Sequence, residues 1–106
     1  MAASIMCFGS QGEGIESENH LFLFVECRKD SPNFILEIFR NGKKIDGPRK
    51  CEAVWVSVNS RSGEESCFYY ESILVKEPGF YAARVRADGY YDDKGYTIRK
   101  REGLKK

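Results

Sequence analysis

The sequence predicts an all-β fold: an antiparallel two-sheet sandwich of about seven strands behind a disordered N-terminal arm. Three observations predict it. Short apolar stretches alternate with a period of two, and turn signals built from Gly, Pro, Asn and Asp recur every ~8–12 residues. No window of the chain carries an apolar period of 3.6. At 106 residues, with seven Phe, six Tyr and one Trp, the chain fits one domain with ample core material. A fold of this size buries roughly 65% of the surface its unfolded chain exposes, enough for a core without disulfide or metal staples.

Each element follows from local chemistry. Residues 1–19 are rich in Gly, Ser and Glu and show no period, which predicts a flexible arm. Residues 20–27 place Leu21, Leu23, Val25 and Cys27 on one face and Phe22, Phe24 and Glu26 on the other, a strand buried on one side and partly covered on the second. Asp30, Ser31 and Pro32 then supply turn chemistry. In residues 34–40, Leu36 and Ile38 alternate with Glu37. Asn41 and Gly42 follow, and both tolerate the positive φ of a type I′ hairpin. A short return strand over 43–45 is expected, ended by Asp46, Gly47 and Pro48. Residues 51–59 predict a strand with Val54, Val56 and Val58 on one face and Trp55 on the other, followed by a polar loop over 60–65. Residues 67–75 form the next strand, and Lys76, Glu77, Pro78 and Gly79 a turn. Over 80–87, Tyr81, Ala83, Val85 and Ala87 alternate with Ala82, Arg84 and Arg86. A tyrosine-bearing loop spans 88–95, a last strand 96–101, and a frayed basic tail 102–106. The sandwich domain is thus expected over 20–101.

The formal net charge is +1, so no overall attraction to nucleic acid or to an anionic membrane is encoded. The ends lean in opposite directions: Glu13, Glu16, Glu18, Glu26 and Asp30 dominate the first thirty residues, and Arg84, Arg86, Lys94, Arg99, Lys100, Arg101, Lys105 and Lys106 the last. Nothing near the start has the apolar core of a leader, and no stretch approaches the ~20 apolar residues of a membrane span. An intracellular protein is therefore expected. Cys7, Cys27, Cys51 and Cys67 form no Cys-x-x-Cys, and His20 is the only histidine, so no zinc site and no cofactor is expected. The four thiols are read as unpaired, with Cys67 placed to pair with Cys27 or Cys51 if any bridge forms.

Residues 68–87 carry a motif. Phe68, Tyr70 and Ile73 lie on a strand that ends in a turn, and Glu77, Gly79, Tyr81 and Ala83 follow at alternate positions. This resembles the E-to-F corner of immunoglobulin-like domains, and the strand pattern over 20–101 is similar to theirs. The resemblance implies that the Tyr81 ring enters the core while its hydroxyl bonds backbone at the corner. Ala83 stands where that superfamily places its second cysteine, so the inter-sheet disulfide is not implied and Cys27 would be unpaired. No Trp lies on 34–39 where the superfamily has one; Trp55 comes later. The run 81–87 also resembles fibronectin type III domains, which lack the disulfide.

Catalytic chemistry finds no support. A Ser or Cys nucleophile wants a positioned base, and the only histidine, His20, sits at the edge of the arm and reads as an exposed strand-start residue. The adjacent pairs Glu64, Glu65 and Asp92, Asp93 diverge on loops rather than face one another across a cleft. Asp88, Asp92 and Asp93 match no EF-hand spacing. The most informative candidate is the last hairpin, where Tyr90, Tyr91 and Tyr96 surround a tip flanked by Arg84, Arg86 and Arg99. Tyr and Arg are the residue types most enriched at binding hot spots. Two function classes follow: a protein-interaction module using this hairpin or an exposed sheet edge, and a nucleic-acid binder on an OB-like barrel, with tyrosines stacking bases and Arg84, Arg86, Arg99 and Lys100 meeting phosphates. The short strand 43–45, with Lys43 and Lys44, reads as a guarded edge.

Overall fold

The computed structural model describes residues 3–10 and 19–100, and within them the chain is a sandwich of two antiparallel four-stranded sheets. The strands are β1 (Ala3–Ser10), β2 (Asn19–Arg28), β3 (Asn33–Arg40), β4 (Lys43–Glu52), β5 (Trp55–Val58), β6 (Glu65–Val75), β7 (Gly79–Ala87) and β8 (Tyr90–Ile98). One sheet has the order β1-β2-β6-β5 and the other β4-β3-β7-β8. The two-sheet antiparallel sandwich expected from the sequence is the architecture formed, with eight strands rather than about seven.

The core lies where the alternation put it. Leu21, Leu23, Val25 and Cys27 of β2 face Phe34, Leu36 and Ile38 of β3 and Tyr81, Ala83 and Val85 of β7, all buried. Each fully buried Leu, Ile or Val contributes about 1.5–3 kcal/mol, so these three central strands supply most of the apolar drive. Asn41 and Gly42 form the two-residue turn between β3 and β4 with φ of 53° and 83°. Tyr81 is buried, and its hydroxyl donates to the Glu77 carbonyl oxygen at 2.8 Å. Arg40 ties the same corner to β3 by donating to the Pro78 carbonyl through Nε at 3.1 Å and Nη2 at 2.6 Å.

Four boundaries differ from expectation, each for a physical reason. Within the residues read as a flexible arm, Ala3–Ser10 is strand β1, with Ala3, Ile5 and Phe8 buried. Its register against β2 shifts between Ile5 and Cys7, so Ile5 and Phe8 both point inward although they are an odd three positions apart. A bulge of this kind erases the period of two on which a sequence reading depends. Residues 1–2 and 11–18 of that arm and the tail at 102–106 lie outside the described residues, and Asn19 already belongs to β2.

The second difference is β4, which runs to Glu52 instead of stopping at Asp46, Gly47 and Pro48. Leu36 pairs with Arg49 and Ile38 with Asp46, so Gly47 and Pro48 together oppose the single residue Glu37. Gly47 takes φ of 95°, and a Cβ there would run into the Leu36 carbonyl oxygen and lie 3.0 Å from Glu37 Cα. Proline is tolerated because it sits in a bulge on an edge strand.

The third is the stretch 51–59, which is not one strand. Cys51 and Glu52 end β4 in one sheet, and after Ala53 and Val54 the chain enters β5 in the other. The fourth is the final hairpin. Its turn is only Asp88 and Gly89, both at positive φ (52° and 80°), and β8 begins at Tyr90. The loop expected over 88–95 is therefore mostly strand.

Candidate functional site

Strand alternation decides where the predicted hairpin residues go. Tyr91 pairs with Arg86 and Asp93 with Arg84, which puts these four on the outer face of the β4-β3-β7-β8 sheet. There the Arg84 guanidinium lies 4.9 Å from the Tyr91 ring centre and 5.6 Å from that of Phe39, and 3.4 Å from the Asp93 carboxylate. Arg86 lies 3.4 Å from Glu37, which also receives Lys44 at 3.3 Å. Tyr90 and Tyr96 have the opposite parity. Tyr96 is half-buried against the core beside Gly9 of β1, while Tyr90 stands exposed at the strand end. Arg99 follows β8 and is exposed. The structure thus brings Arg84, Arg86 and Tyr91 together in a patch balanced by carboxylates, and separates Tyr90, Tyr96 and Arg99 from it. The sandwich also replaces the OB-like barrel on which the nucleic-acid reading was drawn.

The acidic residues of this region have structural partners. Asp92 accepts the Ile5 backbone N–H at 2.8 Å, closing the seam where β1 meets β8. Asp88 accepts the Ser31 hydroxyl at 2.9 Å. Among the described residues no three His, Cys, Asp or Glu side chains come together as a metal-binding group.

A different surface stands out. The outer face of the β1-β2-β6-β5 sheet carries a ladder of rings that the alternation of β2 and β6 builds directly. His20 stacks on Phe22 (6.3 Å between centres), Phe22 on Tyr70 (5.8 Å) and Tyr70 on Trp55 (6.4 Å), with interplanar angles of 27°, 22° and 13°. Phe24 stacks on Phe68 beside them at 5.1 Å. An open apolar groove runs between these rings and Cys7 and Gly9 of β1.

The ladder ends on β5, where Trp55 pairs with Phe68, Val56 with Cys67, Ser57 with Ser66 and Val58 with Glu65. That strand is the outer edge of its sheet. Apolar residues there are uncovered on both faces: Trp55 is 61% exposed on the ring-bearing face, and Val54, Val56 and Val58 are 66%, 56% and 55% exposed on the other. The sequence sets these valines on one strand face and Trp55 on the other, and that division of faces is kept here. A β-branched run with alternating parity has the same pattern whether the opposite sheet covers it or stops short, so no local signal distinguished the two. β5 spans only four residues, and the tight turn after it is held by the Asn59 side chain, whose Oδ1 accepts the Arg61 and Ser62 N–H groups at 2.8 and 3.1 Å.

Inside that edge the gap between the sheets is closed by polar groups. Arg49 of β4 donates to Glu71 of β6 at 2.8 Å and lies 3.0 Å from Asp46. The Tyr69 hydroxyl donates to the other Glu71 oxygen, and its ring meets Phe34 edge-on at 5.2 Å. Burial, reinforced by the bond to Glu71, holds the Tyr69 hydroxyl protonated well above its ordinary range. The separate hydrogen bond from Arg49 to Glu71 raises the Arg49 guanidinium. Cys27 and Cys67 oppose one another in the β2–β6 register and are free thiols, as are Cys51 and the exposed Cys7. Burial pushes the Cys27 thiol up to about 11, with the neighbouring Cys67 and Glu26 acting in the same direction. No protein-family model matches this chain, and no curated protein matches it either.

Proposed function

We propose that this chain is an immunoglobulin-like domain acting as a non-catalytic protein-interaction module, with its docking site at the β5 edge and the adjoining ring ladder. The immunoglobulin-like part is supported by strand order. With β1 to β8 lettered A, B, C, C′, D, E, F and G, the sheets read A-B-E-D and C′-C-F-G, the constant-type arrangement with one C′ strand added. The Tyr81–Glu77 bond stands where that fold has its tyrosine corner. Four unpaired thiols fit a reducing compartment.

The observation that carries the functional part is the edge strand itself. An exposed, uncharged, apolar edge is an open template for another strand, and β-augmentation draws affinity from main-chain hydrogen bonds and specificity from alternate side chains. Trp55 is the aromatic anchor such an interface uses. The hairpin patch is weaker as a site, because its arginines already meet Asp93 and Glu37.

Photocrosslinking tests the assignment. A benzophenone side chain at Ser57, in cells that make the protein, is expected to give a discrete protein adduct that Val56→Lys abolishes. The same probe at Tyr90 or Tyr91 is expected to give none. Adducts arising from Tyr90 or Tyr91 and not from Ser57 would move the site to the hairpin and refute the β5 reading.

A further inference from the structure

We infer that the strand received by β5 is the β5 of a second copy of this chain, paired antiparallel about a twofold axis at Val56. The inference rests on the reading of β5 as the docking edge and names its occupant.

Two observations carry it. The first is that, among the described residues, the other edges are closed while this one is open. β1 and β8 lie side by side, with the Ile5 N–H taken up by Asp92. β4 carries the devices that block edge pairing: register breaks on either side of Ile38, Pro48 within one of them, and Lys43, Lys44 and Lys50 along the strand. From Trp55 to Val58, β5 has neither charge nor proline nor a register shift, and uncharged Val54 precedes it with its N–H bonded to the Phe68 carbonyl oxygen. The second is that its sequence is symmetric. Closed homodimers need a self-complementary patch, in which each residue meets its symmetry mate's counterpart. In Val54-Trp55-Val56-Ser57-Val58 an antiparallel pair centred on Val56 sets Val56 against Val56, Val54 against Val58, and Trp55 against Ser57. All β-branched pairs then fall on the inner face, where the valines are now bare. On the outer face each indole lies over a small hydroxyl side chain of its mate, and the two ring ladders join across the seam. Any other centre within the strand breaks this matching: centring on Trp55 or Ser57 stacks Trp on Trp or Ser on Ser and leaves a valine unopposed.

One short strand and one indole per copy make a contact at the low end of specific interfaces, below about 1,200 Å² in total, so the dimer is expected to be micromolar or weaker. Sedimentation velocity on the full chain, from low micromolar to millimolar loading, should show a monomer–dimer equilibrium. Val56→Lys sets two ammonium groups face to face on the axis and should weaken it at least about tenfold.

The register is tested independently by disulfide trapping in a Cys7→Ser background, since directly opposed Cβ atoms lie within bridging reach. Val56→Cys alone should form a covalent dimer under mild thiol oxidation. Val58→Cys alone should not, whereas a mixture of Val54→Cys and Val58→Cys chains should. A protein monomeric at millimolar loading, or Val56→Cys trapping no better than Val58→Cys, overturns the inference. In that event a Ser57 photoadduct to a different protein would leave the interaction-module reading standing. Absence of any Ser57 adduct would bring down both.

Discussion

Tyr81→Phe removes one hydroxyl from a side chain that is only 2% exposed and leaves its ring, volume and rotamer in place. What is lost is the 2.8 Å bond to the Glu77 carbonyl oxygen at the entrance to β7. A net hydrogen bond of this type is worth about 1 kcal/mol, and a buried acceptor left without a donor raises the cost to about 1–3 kcal/mol. Glu77 lies at the surface, so water can reach part of the freed carbonyl and the expected loss is about 1–2 kcal/mol. For a domain of this length each kcal/mol lowers Tm by roughly 4–8 °C. Unfolding should be followed in urea and by heating with far-ultraviolet circular dichroism. Trp55 fluorescence is a poor probe, because the indole is already 61% exposed in the folded state. Tyr91→Phe, whose ring is 63% exposed, is the control and should change stability by less than about 0.5 kcal/mol. If Tyr81→Phe is equally silent, the corner is held by ring packing and by the Arg40 bonds to Pro78, and the hydroxyl contributes nothing.

Two further predictions concern the backbone and pH. Gly47→Ala should cost about 2 kcal/mol or more, since a positive φ is combined with a clash against the Leu36 backbone; Gly42→Ala, at φ of 83° with open space around it, should cost only about 1 kcal/mol, and equal urea midpoints for the two variants would refute the crowding argument. Stability should fall with rising alkalinity. The Cys27 thiol, raised from 9.0 to about 11 in the folded protein, keeps a proton that the unfolded chain releases, so its contribution is full below pH 9 and disappears as pH rises through 11. That shift corresponds to about 2–3 kcal/mol. Cys51, Tyr69 and Tyr81 are shifted the same way, so Cys27→Ala should flatten part of the slope of urea midpoint against pH between 9 and 11; an unaltered slope would show that Cys27 does not carry it.

Strands β2, β3 and β7 were legible because their alternation is unbroken and central strands are covered on the inner face along their whole length. The Asn41–Gly42 turn was legible because positive φ at both central positions is a property of those two residues and of nothing distant. Asp88–Gly89 obeys the same rule. Its signal is masked by the polar, loop-like run of Tyr90, Tyr91, Asp92 and Asp93, although Asp93 and Tyr91 are held in β8 by ladder pairing to β7 and by contacts with Arg84. Those partners are close in space through a hairpin whose register only the folded sheet fixes.

The inward and outward parity of most residues is thus written in the chain, because it depends on the pleat. Whether an inward residue is covered is not, because coverage depends on how far the opposite sheet extends. Leu23 and Val56 are both apolar strand residues of inward parity. The first lies under the central strands of the other sheet and is fully buried; the second lies on a four-residue edge and is more than half exposed. Strand β1 makes the same point from the other side: its bulge removed the alternation, yet contact with β2 and β8 buries Ile5 and Phe8. Local sequence determined strand, turn and face. Only the meeting of two sheets of unequal reach decided that Val54–Val58 would be the bare edge of this protein.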